Sequence, residues 1–328
     1  MQSQALVLGF EDCTRDCAQL VGGKATGLGA LLRERFQVPP GFAITTVAYH
    51  KHVARNGLSS ELERVLANCT TYDAQLRASE QIRNLFDASV PPPEVEDAIC
   101  RAYTELSQQA ETPVAVRSSA TNEDSAAASF AGQQETYLWI IGERELLRHV
   151  VRCWASLFTA QALAYRTHLG TDISDLGMGV VVQRMVAAEA AGVLLTLDPI
   201  TGDGSTIVIE GAYGLGAAVV NGEVTPDHVT VDKTRLAIRT KSIGDKSVAY
   251  RFDPAARAIR LEDVARELRD RPCFTDAEIV ELARLGKQME QAMGRAQDIE
   301  WAIGPDRQIF LLQARPETVW SQKATARA

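Results

Sequence analysis

The chain has 328 residues, 46% of them hydrophobic and 23% charged, as in a globular protein of two domains or one large lobed one. Its formal net charge of −8 argues against general nucleic-acid binding, so an anionic ligand needs a local basic pocket. There is no apolar run of about 18 residues and no basic-then-apolar leader pattern, from which a cytoplasmic chain is predicted.

The six cysteines are scattered, and no second Cys or His pair joins Cys13 and Cys17 to complete a zinc set, so reduced structural thiols are expected. The five histidines are equally dispersed, and no Ser-His-Asp or Cys-His arrangement is legible. His228, in a predicted strand, is read as structural.

In chain order, VGGKATGLG (21–29) places Lys24 after two glycines and ahead of a helix predicted over Thr26–Phe36. Such a turn offers N–H groups and a point cation to phosphate oxygens, or it simply caps a helix with glycine. It is neither a Walker A loop nor a dinucleotide fingerprint, because the spacing fails both. Residues 58–110 have mainly helical patterning, interrupted by Pro91-Pro92-Pro93. PVAVR (113–117) reads as a strand that delivers Arg117 into a loop of small residues. Ser118, Ser119 and Gly132 would let backbone close over a ligand there, and a planar guanidinium suits bidentate phosphate recognition. A solvated loop with a surface arginine is the other reading. A single helix is predicted over 143–168, with Leu146, Leu147, Val150, Trp154, Leu157 and Phe158 on one face.

From residue 177 the texture changes to strands. VVVQRMVAAEAAGVLLTLDP (180–199) reads as two strands joined through AAEAA, either a core hairpin or an apolar wall for a purine. Glu210 ends a strand before GAYGLG, where a carboxylate can take a ribose hydroxyl or serve a turn. A late helix begins with Thr275 as N-cap and Glu278 three residues on, and it ends near Gly294. The boundary between two lobes is expected near residue 180, with lobes over 1–180 and 181–320 and a tail over 321–328.

The last motif, DIEWAIGPDRQIFLLQARPET (298–318), reads as a β-hairpin. A four-residue loop, Pro305 to Gln308, sets Ala302 opposite Leu311, Glu300 opposite Gln313 and Asp298 opposite Arg315. A five-residue loop would scatter Glu300 and Gln313 onto opposite faces. In the first register a carboxylate and an amide oxygen suit a hard cation such as Mg²⁺, with Arg315 free to grip an anion. An exposed polar sheet face is the other reading.

The VGGK, VRSSAT–SFAGQQETYL, GLG–VVNGEVTPD and DIEW–QARPET blocks occur in one order across residues 19–320. Together they resemble the N-terminal nucleotide-binding domain of the phosphoenolpyruvate synthase, pyruvate phosphate dikinase and rifampicin phosphotransferase family. The resemblance implies an α+β ATP-grasp fold, with two lobes and the nucleotide cleft between them, acting on Mg-ATP. It implies phosphate-holding roles for Lys24, Arg117 and Arg315, and nucleotide contacts for Gly132 and Thr136. An adenine-facing strand falls on Gln183, Arg184, Met185 and Val186, the ribose neighbourhood on Glu210, and Mg²⁺ ligation on Glu300 and Gln313. Full-length members also carry a swivelling domain with a phosphorylated histidine in a Gly/Thr/Ser-rich loop, and a domain for the final acceptor. Neither is found in this sequence, so the histidine is expected on a separate domain or protein and the small-molecule acceptor is unknown. A direct kinase or ligase acting on a small acceptor, and a non-catalytic nucleotide-binding module, are the alternatives. No nucleic-acid or membrane partner is expected.

Overall fold

A computed structural model describes residues 4–67, 69–108, 111–121, 135–169, 177–318 and 320. The chain divides into two compact units: Met1–Gly29 with Pro40–Met185, and Ala30–Pro39 with Val186–Ala328. The division falls inside helix α1 (Ala18–Arg33) and again at Met185/Val186, whereas the expected boundary at 180/181 lies within a strand.

The first unit is an antiparallel sheet of order β1-β2-β5-β3-β4, from β1 (Val7–Gly9), β2 (Gly41–Ile44), β3 (Val114–Ala120), β4 (Thr136–Ile140) and β5 (Met178–Arg184). Helices α2 (Thr46–Arg55), α3 (Leu58–Leu66), α4 (Tyr72–Asp87), α5 (Pro93–Ser107), α6 (Glu143–Ala155) and α7 (Ala160–Leu169) accompany it. Alternation sends Phe42, Ile44, Val114, Val116, Val180 and Val182 into one core with Phe86, Trp154 and Phe158. Burying each such aromatic contributes about 1.5–3 kcal/mol. The single helix predicted over 143–168 is in fact two. Ser156 turns its hydroxyl back onto the Cys153 carbonyl at 2.6 Å, a 3₁₀ turn spans Ser156–Phe158, and Thr159 receives the Ala162 N–H. The predicted 58–110 region likewise resolves into α3, α4 and α5, the last starting at Pro93.

His52 is fully buried in this core, 4.9 Å from the Trp154 ring, with its Nε2 2.9 Å from the Ser89 hydroxyl. Burial lowers its pKa from 6.5 to about 4. The folded state therefore holds a neutral imidazole where the unfolded state takes up a proton, so stability is full above pH 6.5 and falls as pH drops toward 4. The loss reaches up to about 3 kcal/mol across that window. Urea unfolding at pH 7 and pH 4.5 should show this slope, and His52→Leu should flatten it. An unchanged slope in the variant would assign the acid sensitivity elsewhere.

The second unit is an antiparallel sheet of order β13-β12-β6-β7-β8-β9, from β6 (Ala190–Leu195), β7 (Thr206–Tyr213), β8 (Asp227–Asp232), β9 (Ala237–Ser242), β12 (Gln297–Ile303) and β13 (Ile309–Pro316). A separate ribbon pairs β10 (Val248–Asp253) with β11 (Ala258–Asp263), and two short helices, α8 (Ala217–Val220) and α9 (Arg266–Arg269), occupy the connections. Helix α10 (Asp276–Met293) carries the predicted capping box at Thr275 and Glu278 and ends at left-handed Gly294. Its Gly286 lies against Leu194 and Thr196, so α10 covers the face that buries Leu194, Ile209 and Ile299. Residues 30–39 belong here because the Leu311 N–H donates to the Gln37 carbonyl at 2.9 Å. The hairpin reading of 180–199 is corrected. β5 pairs with β2 and β3, whereas β6 pairs with β12 and β7, so AAEAA carries the chain from one sheet to the other. Among the described residues no helix is long and apolar enough to cross a membrane.

Candidate functional site

In the first unit, Gly22 adopts φ 79° and interrupts α1, so the helix containing Lys24 restarts after it rather than at Thr26. A side chain at Gly22 would collide with Ser119, and one at Gly179 with the Val21 carbonyl, so only glycines let the VGGK turn settle on β3 and β5. The settled turn is hydrogen-bonded. Lys24 Nζ donates to the Ser118 carbonyl at 2.8 Å and the Ala25 N–H to the Ser119 hydroxyl at 3.4 Å. Lys24 and Arg117 are each 7% exposed.

Register then identifies the face. Arg117 and Ser119 alternate with the core residues Val116 and Ser118, so they share the side on which the VGGK turn lies. Arg117 stands opposite Thr136 of β4 and Val181 of β5, while Ala115 stands opposite Gln183. Thr136, Arg117 and Gln183 therefore project from one face, and Gln183 is 3% exposed there. Arg184 alternates to the other side and is exposed, and its N–H reaches the Pro40 carbonyl. The Met185 N–H donates to the Pro113 carbonyl, and Val186 begins the second unit. Gly132 lies outside the described residues.

In the second unit the hairpin departs from its predicted loop yet reaches the predicted pairing. Ile303 pairs with Ile309, Gly304 N–H closes on the Gln308 carbonyl at 2.9 Å, and Arg307 takes φ 59°. This is a three-residue loop with a left-handed closing residue. Trp301 therefore faces Leu311, and Ala302 faces Phe310 rather than Leu311. A bulge beyond that pair inserts one extra residue on β13, and Glu300 again faces Gln313 and Asp298 faces Arg315. Contrary to the expectation of a free guanidinium, Arg315 is paired: its Nε and Nη2 both reach Asp298 Oδ2, at 2.9 and 2.8 Å. Burial pushes the Asp298 carboxyl above its ordinary range, helped by the charges of Glu300 and Glu317 and opposed by Arg315.

The same register runs on across the sheet. Gln313 faces Glu300, Glu300 faces Val193, Val193 faces Glu210, and Glu210 faces His228. Directly opposed residues share a face, so Gln313, Glu300, Glu210 and His228 form one transverse row on the side away from α10. Gln313 is 4% exposed, and His228 Nδ1 lies 3.0 Å from Glu210 Oε1. This last pair was not legible in the sequence, because 15 residues separate the β7 and β8 partners Gly211 and Asp227 and no turn type fixes their register. Among the described residues no group of three or more His, Cys, Asp or Glu gathers as a metal cage. Glu300 and Gln313 bring one carboxylate and one amide to neighbouring positions of this row, donor types that suit a hard cation.

The family model of the pyruvate phosphate dikinase AMP/ATP-binding domain matches residues 18–328. The phosphoenolpyruvate synthase of Aeropyrum pernix is 40% identical over 351 residues, covering 97% of this chain and 43% of that protein. The rifampicin phosphotransferase of Streptomyces sviceus is 38% identical over 319 residues, covering 96% of this chain and 36% of its own length. The chain thus spans less than half the length of either relative. Among solved structures, a biotin carboxylase nucleotide complex from Campylobacter jejuni aligns over 74% of this chain and 40% of its own, at 10% identity and a TM-score of 0.27.

Proposed function

The chain belongs to the pyruvate phosphate dikinase AMP/ATP-binding domain family, and from that premise we propose that it is a cytoplasmic ATP-grasp phosphotransferase domain acting on Mg-ATP. It transfers the β-phosphate to a histidine on a separate domain or protein. The balance is ATP, histidine and water giving AMP, phosphohistidine and inorganic phosphate. The observation that carries this reading is the hairpin register: Glu300 and Gln313 stand directly opposite each other, in one row with Glu210.

Each residue then has a task that its chemistry allows. Lys24 and Arg117 hold phosphate oxygens from one sheet face, with Thr136 beside them. Gln183, Met185 and Val186 border the adenine, and Arg184 contributes its backbone. Glu210 takes ribose hydroxyls. Glu300 and Gln313 hold Mg²⁺, which when bound would neutralise charge on the phosphate oxygens. Arg315, its guanidinium oriented by Asp298, lies along the phosphate chain. Phosphoryl transfer asks mainly for such positioning and charge neutralisation. The final small-molecule acceptor belongs to the remainder of the phosphotransfer system.

The test is incubation with β-labelled ATP, alone and with a protein carrying the Gly/Thr/Ser-rich histidine loop. Label should appear on the partner as a base-stable, acid-labile adduct with stoichiometric AMP. Strong acid-labile label on this chain alone would overturn the proposal. Turnover that depends instead on a small acceptor would establish the direct kinase or ligase.

A further inference from the structure

We infer that His228 is a positioning residue that holds Glu210 for the sugar hydroxyls and so sets the preference for a ribonucleotide. The inference rests on the ribose role proposed for Glu210 and deepens it.

β8 places His228 directly opposite Glu210. A carboxylate oxygen can only accept, so at 3.0 Å the Nδ1 carries the proton and donates to Glu210 Oε1. The two side chains are 40% and 35% exposed, and a pair that wet adds little to stability. Its value is directional. Glu210 sits on β7 between two attractions on the same face: His228 one strand away on β8, and the cation position at Glu300 two strands away on β12. With strands about 4.8 Å apart, the Glu300 strand lies about 10 Å from that of Glu210. The bond to His228 draws the Glu210 carboxylate toward β8 and away from the cation position on β12. Oε2 is left as the atom to receive a hydroxyl. The strand under His228 is rigid at this point, because Asp227 beside it is fully buried and bonded to three groups.

The experiment measures calorimetric affinities of the intact chain for ATP, 2′-deoxy-ATP, 3′-deoxy-ATP and inorganic tripolyphosphate, all with Mg²⁺. His228→Leu should weaken ATP about five- to tenfold by removing the donor. It should leave tripolyphosphate unchanged and erase most of the preference for ATP over the deoxy analogues. His228→Asn, which keeps a donor near Nδ1, should restore most of that preference. Glu210→Gln should lose the same discrimination, and adding His228→Leu to it should cost nothing more. If the wild type discriminates and Glu210→Gln abolishes this while His228→Leu does not, the positioning role is wrong and the ribose role stands. If the wild type binds ATP and both deoxy analogues equally, the ribose role itself fails. A loss of tripolyphosphate affinity in His228→Leu matching that of ATP would mark a general structural role and also overturn the inference.

Discussion

Removal of the Lys24 ammonium is expected to lower ATP turnover about one hundred- to one thousandfold, the scale on which a single preorganised charge partner acts in phosphoryl and acyl transfer. Lys24 is not a side chain waiting in solvent. It is 7% exposed and already donates to the Ser118 carbonyl, one residue from Arg117, so its ammonium is set in place before a nucleotide arrives. The same bond means that Lys24→Ala has a structural cost, of about 1 kcal/mol for a lost buried hydrogen bond. Lys24→Met, which keeps most of the packed stem, separates the two effects. Its melting temperature should shift by a few degrees while turnover falls with the alanine variant. Arg117→Lys should also lose most activity, because a point charge cannot reproduce a planar fork. The measurement is AMP production at saturating partner, beside thermal melts of each variant. Retention of more than a tenth of wild-type turnover by Lys24→Met would remove Lys24 from the phosphate site.

Much of this arrangement is legible from local chemistry, and what is not has physical causes. The capping box at Thr275 is specified within a few neighbouring residues and reads directly. The strand expected to end at Arg117 instead runs on to Ala120 and takes Ser118 and Ser119 out of the expected loop. The hairpin is more instructive. A four-residue loop is what pairs Glu300 with Gln313 in the sequence reading, but the real tip is one register away and a bulge beyond Trp301 restores the pairing. An unpaired extra residue in a run such as FLLQ leaves no mark, because leucine tolerates both faces of a buried strand. The segment 180–199 failed for the opposite reason. Two apolar strands with a short connection satisfy every local rule for a hairpin, and only the distant partners β2, β3, β7 and β12 show that they belong to different sheets. The helix breaks where Thr159 turns extended, at ψ 151°, and accepts the Ala162 N–H on its hydroxyl, a local turn that helical periodicity does not register.

The largest stability effect is expected at Asp227, in the TPD motif that leads into β8. Its carboxylate and the Lys246 ammonium are both fully buried and 2.5 Å apart. Oδ1 also accepts the Gly244 N–H and Oδ2 the Cys273 N–H, while Nζ donates to the Gly244 and Arg269 carbonyls and lies 5.8 Å from the Tyr213 ring centroid. The pair therefore ties the start of β8 to the loop before β10 and to the segment ahead of α10. Asp227→Ala would leave a buried cation without its counter-charge and strip two N–H groups of their acceptor, a loss of about 3–5 kcal/mol. For a domain whose whole stability is about 5–15 kcal/mol, that approaches unfolding. Lys246→Met should cost less, because the carboxylate keeps both N–H donors. The double variant should fall well short of the sum, as expected for two halves of one pair. Urea unfolding of the four proteins measures each value, and a loss below about 1 kcal/mol for Asp227→Ala would show that the pair is dispensable. The motif's aspartate thus has a task distinct from ligand binding. It fixes the strand on which the next residue, His228, meets Glu210, so conditions under which Asp227→Ala still folds should also show weakened discrimination against deoxynucleotides.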